Sequence, residues 1–180
     1  MLLQSAAAGD RAAFDTFVAR HRAAVFRFAQ AISGSESEAE EVLQSAFINA
    51  WKGAATFDGR TTRNARPWLF TIARRASHRL HRKRVGEPTD HESLESIACD
   101  AGWNGDNAPL LKAIERREWV ARSLERLSAD ERALLLLVDV EGNTVAEAAQ
   151  ALALSEPATK SRLHRARLRM MTALSREGGP

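Results

Sequence analysis

The sequence predicts an all-α protein, two small helical domains joined by an acidic flexible linker. Three observations predict it. Tyr is absent, aromatic residues make up only 6% of the chain, and Ala, Leu and Arg dominate. Apolar residues recur at spacings of three and four in several separate segments, each bracketed by capping residues or glycine. Charge is sorted by segment. Nine Arg or Lys and no acid lie between Arg60 and Arg84, then six acids and no Arg or Lys between Glu87 and Asp106. The formal net charge of +3 excludes an undiscriminating polycation, so the distribution carries the signal. At 180 residues the chain has room for one domain or two small ones.

Composition also excludes some classes. A single cysteine, Cys99, permits neither an internal disulfide nor a thiolate-rich zinc site. No apolar run approaches the roughly 20 residues of a membrane span. The first residues lack a basic stretch followed by an apolar core, so a secretory leader is not expected and a cytoplasmic protein without membrane insertion is.

Asp10 opens the first predicted helix, with Phe14, Phe17, Val18, His21, Val25, Phe28, Ala29 and Ile32 on its apolar face and Gly34 at its end. His21 reads as a packed histidine at the core edge. Ser37 and Glu40 are spaced as a capping box for the next helix. Its inner side is Val42, Leu43, Ala46, Phe47, Ala50 and Trp51, and Gly53 ends it. Glu38, Glu41, Gln44, Ser45 and Asn49 fall on the other faces, as a solvated surface or a docking face for a basic partner.

A polar loop with Arg60, Arg63 and Asn64 leads to Pro67 at a helix start. Trp68, Leu69, Ile72, Ala73, Ala76 and Leu80 form the stripe expected to be buried. Arg74, Arg75, His78, Arg79 and Arg82 form a ridge whose self-repulsion a phosphate backbone would relieve by counterion release. Trp68 fits a core position, or a stacking platform for an unpaired base.

Val85–Ala108 is rich in Gly, Pro, Ser, Asp and Glu, with isolated Leu94, Ile97 and Trp103, and reads as a linker. Helix resumes at Asn107 and Pro109, with Leu110, Leu111, Ile114, Val120, Ala121, Leu124 and Leu127 on its apolar face. Ser128 and Glu131 form a capping box before Leu134–Val138, a run expected to be buried nearly all round. The divisions are 1–85, 86–108 and 109–180.

Thr144–Arg169 reads as two short helices joined by a tight turn. Thr144 and Glu147 cap the first, whose Ala148, Ala149 and Leu152 make a small flat face. Leu154 plugs the turn, and Ser155 caps the second helix with Glu156 and Pro157 in its first turn. Leu163, Ala166 and Met170 face inward, while Lys160, Ser161, Arg162, His164, Arg165, Arg167 and Arg169 face out. A small-residue first helix lets its partner cross closely, as a helix-turn-helix needs to enter a DNA major groove. A merely solvated basic helix would explain the charge but not the Ala-rich face, the turn and the two caps.

These residues carry a family resemblance. GDRAAFDTFVARHRAAVFRFA, SEAEEVLQSAFINAW and RPWLFTIARRASHRLHRKR resemble regions 2.1, 2.2 and 2.3–2.4 of an extracytoplasmic-function (ECF) sigma factor of the sigma-70 family. LERLSADERALLLLVDVEGNTVAEAAQALALSEPATKSRLHRARLRM resembles region 4. The resemblance implies binding to core RNA polymerase, at the β′ clamp helices through Glu38, Glu41, Gln44, Ser45 and Asn49, and at the β flap. It implies recognition and melting of the −10 element by Arg60, Arg63, Asn64, Trp68, Arg74, Arg75, His78, Arg79 and Arg82. It implies −35 recognition by Glu156, Pro157, Lys160, Ser161, Arg162, His164 and Arg165, and an anti-sigma factor as a further partner. The chain departs from the family pattern at Ser45, usually Glu, and at Arg75 and Arg79, often Asn and Asp. Pro157-Ala158-Thr159 stands where Gly-Thr-Val is common, so base preferences do not carry over.

The function expected is an alternative sigma factor for promoter-specific initiation. The rival is a conventional helix-turn-helix regulator that acts without being a polymerase subunit. No enzyme activity, cofactor or metal is expected: His21, His78, His81, His91 and His164 never meet carboxylates at metal spacing, and no Gly-rich phosphate loop occurs.

Overall fold

A computed structural model describes residues 2–57, 65–84 and 119–176. The described residues are helical, in two bundles. The first holds α1 (Leu2–Ala7), α2 (Arg11–Ile32), α3 (Glu36–Gly53), a 3₁₀ turn (Ala54–Thr56) and α4 (Ala65–Arg84). The second holds α5 (119–125), α6 (Ala129–Leu135), a π turn (Leu136–Val140), α7 (Val145–Leu152) and α8 (Glu156–Arg176). The linker 86–108, Cys99, the helix start at Asn107–Pro109 and the loop residues Arg60, Arg63 and Asn64 lie outside the described residues.

Helix α2 starts where Asp10 Oδ1 accepts from Ala13 N at 3.0 Å. Phe17, Val25, Phe28 and Ala29 on its inner face are buried, while Phe14, Val18 and Ile32 close the rim. Helix α1 was not read from the sequence. Six residues are too few to show a period, but Leu3 and Ala6 are buried, and Gly9, at φ +96°, turns the chain into α2. That φ costs glycine little and any other residue more.

The start of α3 corrects the sequence reading. Its N-cap is Ser35, not Ser37: Glu38 N donates to Ser35 Oγ at 3.2 Å, and Gly34 N donates to Glu38 Oε2 at 3.1 Å. The Ser-x-x-Glu spacing occurs twice, two residues apart, and the earlier copy wins because it also satisfies a donor ahead of the helix. Ala39, Val42, Ala46 and Ala50 then pack inward, and Glu36, Glu38 and Lys52 suit the helix dipole. Trp51, expected inward, is instead partly exposed, with its ring edge-on to Phe14 of α2.

Helix α4 begins at Ala65, two residues before Pro67, which sits in the first turn where its missing N–H breaks no bond. Its buried side is Leu69, Phe70, Ala73 and Ala76. Phe70, absent from the stripe read in the sequence, meets Phe28 with ring centroids 5.1 Å apart. Ile72 and Leu80 are only half-buried.

In the second bundle Ser128 and Glu131 make the expected capping box of α6. The run Leu134–Val138 is not buried all round. Leu134 and Leu137 are fully buried, whereas Leu135, Leu136 and Val138 are half-buried. The helix widens there into a π turn: Glu141 N reaches back five residues to Leu136 O at 2.8 Å. Asn143, itself buried, donates from N and Nδ2 to Leu137 O, at 2.9 and 2.8 Å, and Gly142 at φ +67° makes the exit.

The two bundles share one apolar core rather than standing apart. Helix α4 lies against α7, and α2 lies against α6 and the π turn.

Candidate nucleic-acid and polymerase interfaces

The helix-turn-helix is built from its caps outward. Thr144 Oγ1 accepts from Glu147 N at 3.2 Å, and Thr144 N donates to Glu147 Oε2 at 2.8 Å. A reciprocal cap of this kind contributes about 1 kcal/mol to a helix only eight residues long. Ala148, Ala149, Ala151 and Leu152 are buried, so α8 and α4 both approach α7 closely. The turn rests on Ala153, which adopts φ 50°, ψ 47°, the left-handed conformation that glycine usually fills. Leu154 N closes it by donating to Ala149 O at 2.9 Å.

Ser155 opens α8 by accepting from Ala158 N at 3.4 Å and from Thr159 N, through its carbonyl, at 2.9 Å. Thr159, Leu163, Ala166 and Ala173 are buried, so one side of α8 is fixed. Met170 is half-buried. Glu156, Pro157, Lys160, Ser161, His164 and Arg165 are exposed, and Arg162 is partly so. Three cations of this helix turn back to their own bundle. Arg162 meets Asp130 at 3.2 Å, Arg167 meets Asp139 at 2.5 Å, and Arg169 meets Glu131 at 2.7 Å. Burial alone would raise the pKa of Glu131. Donors from Ser128, and Arg169, outweigh it and hold the carboxyl below its usual value.

Helix α4 carries the second basic surface. Arg75, His78, Arg79 and Arg82 are exposed and Arg74 is half-buried, so the ridge read from the sequence is real. Trp68 is half-buried, with its ring centroid 5.0 Å from that of Phe57 and its edge against Gly53.

On α3, Glu41, Gln44 and Ser45 are exposed, while Glu38 and Asn49 are half-buried. Glu38 is spent on the cap at Gly34, and Asn49 Nδ2 donates to Ser45 O at 2.6 Å. The sequence reading missed the apolar part of this surface. Ile48, one turn beyond Gln44 and Ser45, is 55% exposed, and Trp51, a further turn on, is 37% exposed. Trp51 stands edge-on to Phe14 at 4.9 Å, in a shallow depression that Arg11 and Asp15 also line. An isoleucine at helical spacing from polar residues is the signal that could have found it.

His21 packs on Phe17 with ring centroids 4.6 Å apart. Burial, then Arg66 and Arg20, hold its pKa below the usual value. Among the described residues, no group of three or more His, Cys, Asp or Glu stands close enough to hold a metal ion. None of their helices is long and apolar enough to cross a membrane.

Known proteins share this arrangement. The family profile described as Sigma-70 region 2 matches residues 17–86, and that described as Sigma-70, region 4 matches residues 117–170. The chain is 32% identical over 173 residues to the ECF RNA polymerase sigma factor SigM of Mycobacterium tuberculosis, spanning 96% of this chain and 83% of that protein. It is 31% identical over 179 residues to the RNA polymerase sigma factor CnrH of Cupriavidus metallidurans, spanning 97% and 93%. The solved structure of CnrH in complex with the cytosolic domain of CnrY superposes with a TM-score of 0.68, at 28% identity, over 98% of this chain and 97% of that one.

Proposed function

The chain belongs to the ECF sigma factors of the sigma-70 family, and from that premise we propose which of its surfaces meets which partner. As an alternative sigma factor it binds core RNA polymerase and directs promoter-specific transcription initiation. The chemistry of RNA synthesis belongs to the polymerase, and no catalytic step is assigned to this chain. Its place of action is the cytoplasm, with the polymerase.

The observation that carries the residue assignment is the separation of three surfaces. Exposed cations lie on α4 and on α8, and a mixed acidic and apolar strip lies on α3. The α3 strip of Glu41, Gln44, Ser45 and Ile48, with Glu38 and Asn49 shaping its ends, docks on the β′ clamp helices. The helix-turn-helix reads the −35 element as duplex, through Lys160, Ser161, His164 and Arg165 near the start of α8, and its domain also meets the β flap. Arg74, Arg75, His78, Arg79 and Arg82 hold −10 phosphates, while Trp68 with Arg60, Arg63 and Asn64 handles an unstacked base. Residues 1–85 and 109–180 act as the two working domains, and 86–108 is the acidic linker between them. CnrH is bound by the cytosolic domain of CnrY. An anti-sigma factor that covers both basic surfaces is the corresponding partner here.

Gel filtration of the chain with core polymerase, followed by footprinting on a bound promoter fragment, tests this reading. Co-elution, with protection at both −35 and −10, is expected. Tight sequence-specific duplex binding without polymerase, and no co-elution, would favour a conventional helix-turn-helix regulator.

A further inference from the structure

Glu141 joins the two bundles. Its side chain is 5% exposed, and its carboxylate accepts from Arg27 of α2, with Nη2 at 2.6 Å and Nε at 2.9 Å, and from Arg66 of α4. Both partners come from the first bundle, whereas Glu141 sits at the end of the π turn of the second. Arg132 of α6 adds a third tie, from its Nε to Ala31 O of α2 at 3.1 Å. Beneath these polar links, α4 lies on the small-residue face of α7.

This closed arrangement conflicts with the promoter-binding role proposed above. Elements centred near −10 and −35 are about 25 base pairs apart, or about 85 Å along the duplex at 3.4 Å per pair. Helices α4 and α8 both pack on α7. At eight residues α7 is only about 12 Å long. Two DNA-reading helices resting on one such helix cannot occupy both elements. The bundles must part first.

We propose that Glu141, gripped by Arg27 and Arg66, is an intramolecular latch that holds the chain in a self-restrained closed form, from which polymerase and promoter draw an open one. The inference rests on the sigma-factor reading. The latch is electrostatic and directional: two guanidinium groups of one bundle converge on one carboxylate of the other, fixing the register in which α4 meets α7. Binding partners that select the open form see their apparent affinity reduced by the fraction of chain that is open. Loosening the latch therefore raises apparent affinity for core polymerase without touching the proposed docking strip on α3 or the DNA-facing cations.

Small-angle scattering of the full chain, paired with a core-polymerase binding titration, tests it. The wild type should show a radius of gyration near the roughly 16 Å of a compact chain of this length. Glu141→Arg should expand it by about a fifth or more and lower the apparent Kd for core polymerase about threefold or more, from the same change in open fraction. Glu141→Arg with Arg27→Glu and Arg66→Glu should restore both wild-type values. If Glu141→Arg loses helicity, Glu141→Gln should move both readouts in the same direction by less. An expanded wild type, an unexpanded but folded Glu141→Arg chain, or expansion without gain in affinity would each overturn the latch. Failure of every variant to bind core polymerase would sink the sigma-factor reading and the gating with it, while scattering still decides whether Glu141 closes the chain.

Discussion

Arg167 grips both oxygens of Asp139, at 2.5 Å from Nη2 and 3.2 Å from Nε. The pair ties α8 to the π turn, and the hydrogen bond to Asp139 lifts the arginine pKa further above its ordinary value. The basic face of α8 is therefore divided. Arg162, Arg167 and Arg169 are engaged with acids of their own bundle, while Lys160, His164 and Arg165 lie exposed in the first half of the helix.

That division sets the order of effects on promoter binding. Lys160→Ala or Arg165→Ala should weaken −35 binding. If the lost contact is to phosphate, the salt slope falls by about one. If it is to a base, specificity relaxes at one position, at a cost of about 1–3 kcal/mol. Arg167→Ala should change the slope by less, since its cation is already held by Asp139. Titrations of the holoenzyme on promoter DNA across salt check this, and an Arg167 effect equal to that of Lys160 would contradict it.

Polymerase docking should depend on Ile48 as well as on acids. Ile48→Glu removes the apolar centre of the α3 strip, and at 55% exposure it should leave folding within about 0.5 kcal/mol. Affinity for core polymerase should fall about tenfold or more. Glu41→Lys combined with Gln44→Ala should also weaken retention. Calorimetry for the fold and pull-down with core enzyme for the contact separate the two effects; full retention by both variants would place the docking surface elsewhere.

Trp68→Ala should leave closed-complex formation nearly unchanged and slow promoter opening. The ring has one packed side, against Phe57 and Gly53, so some stability is lost as well, about 1–3 kcal/mol for a half-buried aromatic. Permanganate reactivity of −10 thymines reports the opening step. Unfolding of the first bundle in this variant would make Trp68 a core residue only.

Ala153→Gly should stabilise the helix-turn-helix. Ala153 sits at φ 50°, where a Cβ costs about 1 kcal/mol that glycine avoids, partly offset by the freer unfolded chain. A gain of up to about 1 kcal/mol in chemical denaturation is expected, and a loss of that size would show that the turn tolerates Ala153 for a packing reason.

Acid should loosen the α6–α8 contact. The pKa of Glu131 is lowered in the folded chain, so the unfolded chain binds the more protons in acid. The stability it contributes is fully present above its usual value of 4.5 and is lost as pH falls through the folded value. Glu131→Gln should lower stability at pH 7 and flatten the acid limb of the stability curve; an unchanged limb would assign the acid response to other carboxylates.

Caps and helical periods make most of this fold legible in the sequence, because both are local: Asp10, Ser128 and Thr144 each open a helix at the position their spacing predicts. Ser37 failed because two identical spacings compete and only the chain before the helix decides between them. The π turn, the half-buried Leu135 and Leu136, and the left-handed Ala153 have no periodic mark. Glu141 is 114 residues from Arg27 and 75 from Arg66, and no local pattern links them. The basic helices were legible as faces, but not which of their cations are already engaged.

As a sigma factor, this chain gives core polymerase its promoter choice. Core enzyme with and without the chain should be compared on a template carrying a matched promoter and on the same template with its −10 and −35 elements scrambled, reading transcript length. A discrete transcript that requires the chain and both elements is expected. Initiation that is indifferent to the chain, or that survives scrambling of both elements, would contradict it.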